Sequence, residues 1–96
     1  MSEAVAAAVA ALNERLAGEG IAGALRIVIE DVGALIVDGD GARAGDGDAD
    51  GTLTASADTF RDMLDGALDP TGAFMSGRLA IEGDMGLAMR LAGLLA

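Results

Sequence analysis

From Met85 to Ala96 the sequence MGLAMRLAGLLA carries a single charge, Arg90, among Met, Leu and Ala. Drawn as a helix, it is apolar around most of its circumference. A helix lying on a protein surface keeps a polar face toward water. Any fold containing this segment must therefore bury it in the core, give it a second protein to meet, or set one of its sides along a cavity for an apolar guest. Periodicity alone leaves these readings open.

The remaining residues must supply that cover. A chain of 96 residues folds around one core and buries roughly 60–70% of the surface its unfolded form exposes, so residues 1–96 are expected to form a single domain. Hydrophobic residues make up 52%, yet Phe60 and Phe74 are the only aromatic ones. The interior must be aliphatic and methionine-rich, a filling that repacks readily around different guests.

At the start, Val5, Val9, Leu12 and Leu16 recur at helical spacing from Glu3 to about Ala17, with Ser2 placed to cap the helix and Gly18 and Gly20 to end it. From Ala24 to Ala55 the period shortens to that of strands: the runs ALRIVIE, ALIVDGD, ARAGDGD and GTLTAS are broken by Gly and Asp. The simplest arrangement is a four-strand antiparallel meander. Leu25, Ile27 and Ile29 alternate with Arg26, Val28 and Glu30, giving the first strand an apolar face that the first helix can cover. Helical spacing returns at Phe60, Met63, Leu64 and Leu68, with Ser56 or Asp58 as cap and Gly66 loosening the end. Asp69-Pro70 opens a short helix through Phe74 and Met75. Arg78 to Glu82 alternates as a fifth strand, and Asp84 caps the last helix.

The residue types absent from the chain are as informative as those present. Without His, Cys, Lys, Tyr or Trp, it lacks the usual general base near neutral pH, the thiol nucleophile, the Schiff-base amine and the phenolic acid. A carboxylate pair of the glycosidase kind would also need aromatic surface on which a sugar can stack. Catalysis is not expected, and no cofactor is implied. Sixteen acidic residues against six arginines give a net charge of −10, which repels nucleic acid and anionic membrane surfaces alike. No disulfide can form. The first residues are interrupted by Asn13, Glu14 and Arg15 and do not read as a secretory signal. No apolar run approaches the ~20 residues of a membrane span, so a cytoplasmic protein with no integral membrane association is expected.

Two loop signals compete with these readings. In Asp46-Gly-Asp48-Ala-Asp50-Gly51, oxygen ligands alternate and a glycine follows, as in calcium loops. The twelfth position, however, is Ala57 where a bidentate Glu belongs, and the preceding segment reads as strand. A solvated acidic turn is the simpler reading, as for Asp38-Gly-Asp40-Gly41, and no metal is expected. Neither a G-x-G-x-x-G nor a G-x-x-x-x-G-K-S/T stretch stands at a strand-to-helix junction, and acidic residues among the glycines would repel phosphate.

From Asp50 onward, DGTLTASADTFRDMLDGALDPTGAFMSGRLAIEGDMGLAMRLAGLL closely resembles the sterol carrier protein type 2 (SCP2) domain family. The resemblance is carried by Asp69-Pro70 with Ala73-Phe74, then Ser76-Gly77-Arg78-Leu79-Ala80-Ile81-Glu82-Gly83-Asp84-Met85, then Gly86-Leu87-Ala88-Met89-Arg90-Leu91. It covers about half of the chain; the N-terminal half agrees in pattern more than in residues. It implies an α/β (α+β) fold in which a five-stranded, largely antiparallel sheet is covered on one face by helices and encloses a hydrophobic tunnel. The tunnel would hold fatty acids, fatty acyl-CoA, phospholipids or sterols. The strong acidity and the ending Gly-Leu-Leu-Ala depart from the eukaryotic members, which are often basic and end in a peroxisomal address, and the short chain and its composition suit a stand-alone bacterial member.

The expected function is therefore non-catalytic binding of an apolar lipid, with transfer as an open extension. The lining is expected to come from Phe60, Met63, Leu64, Phe74, Met75, Leu79, Ile81, Met85, Ala88, Met89 and Leu91, each of which also suits ordinary core packing. Gly77 and Gly83 are expected to shape strand ends. The alternative is an interaction module whose last helix meets a second copy, forming a homodimer without a ligand cavity. A calcium-binding loop at Asp46–Asp50 is the third reading.

Overall fold

Val5, Leu12 and Leu16 form the buried face of the first helix, α1 (Glu3–Leu16), in the computed structural model, which describes residues 3–95. The expected cap Ser2 lies outside the described residues. α1 ends where Ala17 and Gly18 both take positive φ, at 54° and 83°, which reverses the chain toward the sheet.

The strands are β1 (Leu25–Ile29), β2 (Gly33–Asp38), β3 (Gly41–Ala44), β4 (Gly51–Ala55) and β5 (Leu79–Gly83). Their order across the sheet is β3-β2-β1-β4-β5. The expected meander is thus corrected. β1, β2 and β3 form antiparallel hairpins, but β4 does not lie beside β3; it crosses to the far side of β1 and pairs with it in parallel. The cause is visible in the chain. Loops of three residues (30–32) and two residues (39–40) make the tight hairpin turns, whereas the segment 45–50 between β3 and β4 is a longer connection of Gly, Asp and Ala. In that central position β4 alternates Leu53 and Ala55, both fully buried, with half-buried threonines. β5 then adds antiparallel to β4.

One face of the sheet carries the core. Leu35, Ile27, Leu53 and Ile81 stand in register across four strands, and the helices pack over them. α2 (Ala57–Leu64) contributes Phe60 and Met63, α3 (Pro70–Met75) contributes Ala73, and α4 (Met85–Leu95) contributes Ala88, Leu91 and Ala92. The caps follow local chemistry: Ser56 Oγ accepts from the Thr59 N–H at 3.2 Å, and Asp69 Oδ2 from the Gly72 N–H at 3.2 Å, with Pro70 at the first helical position. α2 stops at Leu64, one turn before Leu68, because Gly66 takes φ +78° and the Ala67 and Leu68 N–H groups turn back onto the Asp62 carbonyl.

Among the described residues no helix lies against the opposite face. There Arg43, Ile36, Arg26, Thr52 and Glu82 stand in one row across the strands. Arg43 grips Asp38 through two bonds of 2.8 and 3.0 Å. Arg26 grips Asp46 of the 45–50 segment in the same bidentate way.

Candidate functional site

An apolar gap lies between α1 and α2. α1 presents Ala4, Ala7 and Ala8 to it, a wall of methyl groups at helical spacing. α2 presents Ala57, Phe60 and Leu64, and Ile29 at the end of β1 forms the floor. Because alanine fills so little of the space between two helices, an apolar cleft of about 150 Å³ remains, open on one side to solvent. The enclosed tunnel implied by the resemblance is thus here an open cleft. Arg61 and Asp65 stand at its rim, and Arg61 Nη1 lies 3.7 Å from Asp58.

A second groove, of about 360 Å³, follows the other end of α1, where Leu16, Ile21, Leu87 and Leu94 form an apolar floor and Arg15, Glu19 and Arg90 supply charge. Arg15 lines this groove and reaches Leu64, a residue of the cleft. Its Nη2 donates to the Leu64 carbonyl at 3.0 Å, satisfying an orphan acceptor in the last turn of α2. Four of the six arginines are matched by a carboxylate, in the pairs Arg26–Asp46, Arg43–Asp38, Arg61–Asp58 and Arg78–Asp62. Among the described residues, the two without a carboxylate within 4.0 Å are Arg15 and Arg90, and both line this groove.

The structure distributes the expected lining residues over three environments. Phe60 and Leu64 meet at the cleft. Met63, Leu79, Ala88 and Leu91 are buried in the core, and Ile81 is packed against it; Met89 is half-buried on α4. Phe74, Met75 and Met85 face solvent. α4 therefore buries one stripe, sets Leu87, Arg90 and Leu94 along the groove, and leaves Met85 uncovered. The cleft residues that sequence reasoning did not name are chiefly Ala4, Ala7, Ala8 and Ala57. Their signal was present as alanines at spacings of three and four on one side of α1.

Two of the three carboxylates of the calcium-like loop are engaged by the protein's own groups. Asp46 is held by Arg26 and by the Gly47 N–H at 2.8 Å. Asp50 Oδ2 accepts the Ala24 N–H at 2.8 Å. The Arg26 guanidinium, with help from Gly47, holds the Asp46 carboxyl below its usual range; Arg43, with the Asp40 N–H, does the same for Asp38. Among the described residues no helix is long and apolar enough to cross a membrane.

Comparison with known proteins agrees with this architecture. A family model described as the SCP-2 sterol transfer family matches residues 3–96. Hydroxysteroid dehydrogenase-like protein 2 of Danio rerio is 44% identical over 61 residues, which make up 59% of this chain and 15% of that relative. The match thus spans a small part of a much longer protein. Among solved structures, the sterol carrier protein domain 2 of Helicoverpa armigera aligns with a TM-score of 0.76 at 26% identity, covering 96% of this chain and 85% of that one. Sterol carrier protein 2 of Aedes aegypti, solved in complex with the C16 fatty acid palmitate, aligns with a TM-score of 0.77 at 21% identity, covering 100% of this chain and 97% of that one. With the five-stranded α+β architecture and the family match both extending over nearly the whole sequence, the chain belongs to the SCP-2 sterol transfer family.

Proposed function

We propose that this domain binds the hydrocarbon chain of a single-tailed lipid, in the cleft between α1 and α2, and performs no chemistry on it. The observation that carries this reading is the methyl-lined gap itself: seven of its nine lining residues are apolar, and the two polar ones stand at the rim. Ligand sites commonly measure about 300–1,000 Å³, so the cleft must widen on binding. The alanine wall favours this, because α2 can move away from α1 without withdrawing any large α1 side chain. Each methylene taken from water contributes about 0.8 kcal/mol before ordering costs are subtracted. A longer chain would pass beneath α2 into the layer of Met63, Leu79, Ala88 and Leu91, whose aliphatic side chains can repack.

Arg61 at the cleft rim is matched by Asp58, so the headgroup is assigned to Arg15. That residue bonds the Leu64 carbonyl beside the cleft and has no carboxylate of its own within 4.0 Å among the described residues, and this makes a fatty acid the preferred ligand in this reading. A cytoplasmic setting belongs to the same proposal. The dehydrogenase in the name of the Danio rerio relative is not carried over. Gly18-Glu19-Gly20-Ile21-Ala22-Gly23 has the spacing of a dinucleotide fingerprint, but it joins a helix to a strand and so offers no helix N-terminus to a pyrophosphate.

Solvent extraction of the purified protein followed by mass spectrometry, with displacement of a fluorescent fatty acid, tests the proposal. The expected result is a co-purifying lipid and at least a tenfold loss of probe affinity in Ala8→Phe, which fills the cleft. An empty protein that does not bind the probe, or an Ala8→Phe variant that binds it unchanged, would overturn it.

A further inference from the structure

The charge of this chain is not spread evenly along it. Residues 1–69 contain fourteen of the sixteen acidic residues and four of the six arginines, so the entire net charge of −10 lies there. Residues 70–96 set Arg78 and Arg90 against Glu82 and Asp84 and are neutral. The same quarter carries the uncovered apolar surface. Among the described residues five large hydrophobic side chains are exposed, and four of them are Phe74 at 37%, Met75 at 80%, Met85 at 45% and Leu94 at 38%. α3 has no charged residue, and it packs against both β5 and α4.

Neutrality and apolar exposure coincide on two adjacent helices of an otherwise strongly acidic molecule. We infer that the α3–α4 face is a docking surface for a zwitterionic lipid bilayer, with Phe74, Met75 and Met85 entering the headgroup layer and the acidic remainder turned toward water. The inference rests on the lipid-binding reading, since the bilayer would be where the bound lipid is collected or released. Charge selects this occupant. A second copy would bring another −10 chain against the first, whereas a zwitterionic surface has no net charge to oppose it and asks for no shape complementarity. Flexible methionine side chains suit such a yielding surface. An anionic bilayer would be repelled by the acidic remainder within a Debye length of about 8 Å at physiological salt, the reverse of proteins that dock through basic patches.

The test is co-sedimentation of the full chain with phosphatidylcholine vesicles and with vesicles in which one lipid in three is phosphatidylserine. The wild type should partition to phosphatidylcholine, bind the mixed vesicles more weakly, and recover on the mixed vesicles as salt is raised. Met75→Asp and Met85→Asp, both on exposed side chains, should each lower partitioning at least fivefold with unchanged melting temperature, and together at least tenfold. No partitioning of the wild type, or preference for the anionic vesicles, would overturn the inference. So would sedimentation equilibrium showing a dimer that Met75→Asp dissolves, which would give the face to a second copy. A wild type that binds the fluorescent fatty acid but not vesicles would remove the docking surface and leave the cleft reading intact.

Discussion

The side-chain amide of Asn13 on α1 meets both backbone polar groups of Ala42 on β3: Nδ2 donates to the Ala42 carbonyl at 2.9 Å, and Oδ1 accepts the Ala42 N–H at 2.9 Å. β3 is an edge strand, and its outward N–H and C=O would otherwise be free to pair with another chain. Asn13 thus acts as one residue of a sixth strand supplied by a helix. Asn13→Leu should cost about 1–3 kcal/mol, the usual effect of orphaning such groups, and should raise light scattering on prolonged incubation. Urea unfolding midpoints check the first effect. Asn13→Asp, which keeps the acceptor and loses the donor, should fall between the two.

Gly83 ends β5 at φ +80°, and a Cβ there would lie 2.5 Å from the Asp50 carbonyl oxygen and 2.8 Å from Gly51 Cα. Backbone atoms cannot yield as a flexible side chain can. Gly83→Ala should therefore lower the melting temperature clearly more than Gly66→Ala, where φ is +78° but nothing lies within 4 Å. The second substitution isolates the cost of the conformation, about 1–3 kcal/mol. Equal shifts in the two variants would show that the close approach of β5 to Asp50 is unimportant.

Acid should weaken the fold through the clasps on the uncovered sheet face. Asp46 and Asp38 have carboxyl groups held below their usual range by Arg26 and Arg43. A depressed folded-state value means that their contribution is fully present above the ordinary carboxylate range near pH 4 and is lost as pH falls through the lower folded-state value. Melting curves from pH 7 to pH 2 should show the wild type and Asp46→Asn converging at the acid end, with their largest separation above pH 5. The comparison cancels the relief of self-repulsion that acid also brings to a chain of charge −10.

Arg15→Met should separate headgroup from tail. The substitution keeps much of the aliphatic length while removing the charge and the bond to the Leu64 carbonyl. Fatty acid affinity should fall about tenfold, the scale of one charge-assisted hydrogen bond, while affinity for the fatty alcohol of equal length stays within twofold. Competition against a fluorescent probe reads both. A parallel loss for acid and alcohol would assign Arg15 a purely structural role.

The sequence made the element order legible because its periods are clean. Val5, Leu12 and Leu16 mark a helix, and Leu25, Ile27 and Ile29 mark a strand, each by local geometry alone. What it did not make legible was the neighbour of β4. Strand order is a property of distant pairings, and nothing local to Gly51–Ala55 says that Leu53 will stand beside Ile27. The site divided along the same line. Large residues such as Phe60 and Leu64 announce themselves, whereas the wall of Ala4, Ala7 and Ala8 matters for the volume it leaves unfilled, and an absence of side chain has no hydrophobic signature. Phe74, Met75 and Met85 show the converse. Their apolar character was plain, but their exposure depends on which turn of α3 or α4 faces the sheet.

The parallel pairing of β1 with β4 also bears on how the protein is made. β1 leaves the ribosome with a ready partner on one side, the hairpin strand β2, while its other edge must wait for residues 51–55. Until then a row containing Leu25, Ile27 and Ile29 has an open flank, and contacts that span so much sequence are the slow ones to close. The middle of the finished sheet is consequently closed after its β1–β2–β3 side, and only the β4–β5 seam follows it. Nascent chains ending before Ala55 should depend on being shielded, and a synonymous change that slows translation through 45–50 would lengthen that dependence without altering a single residue.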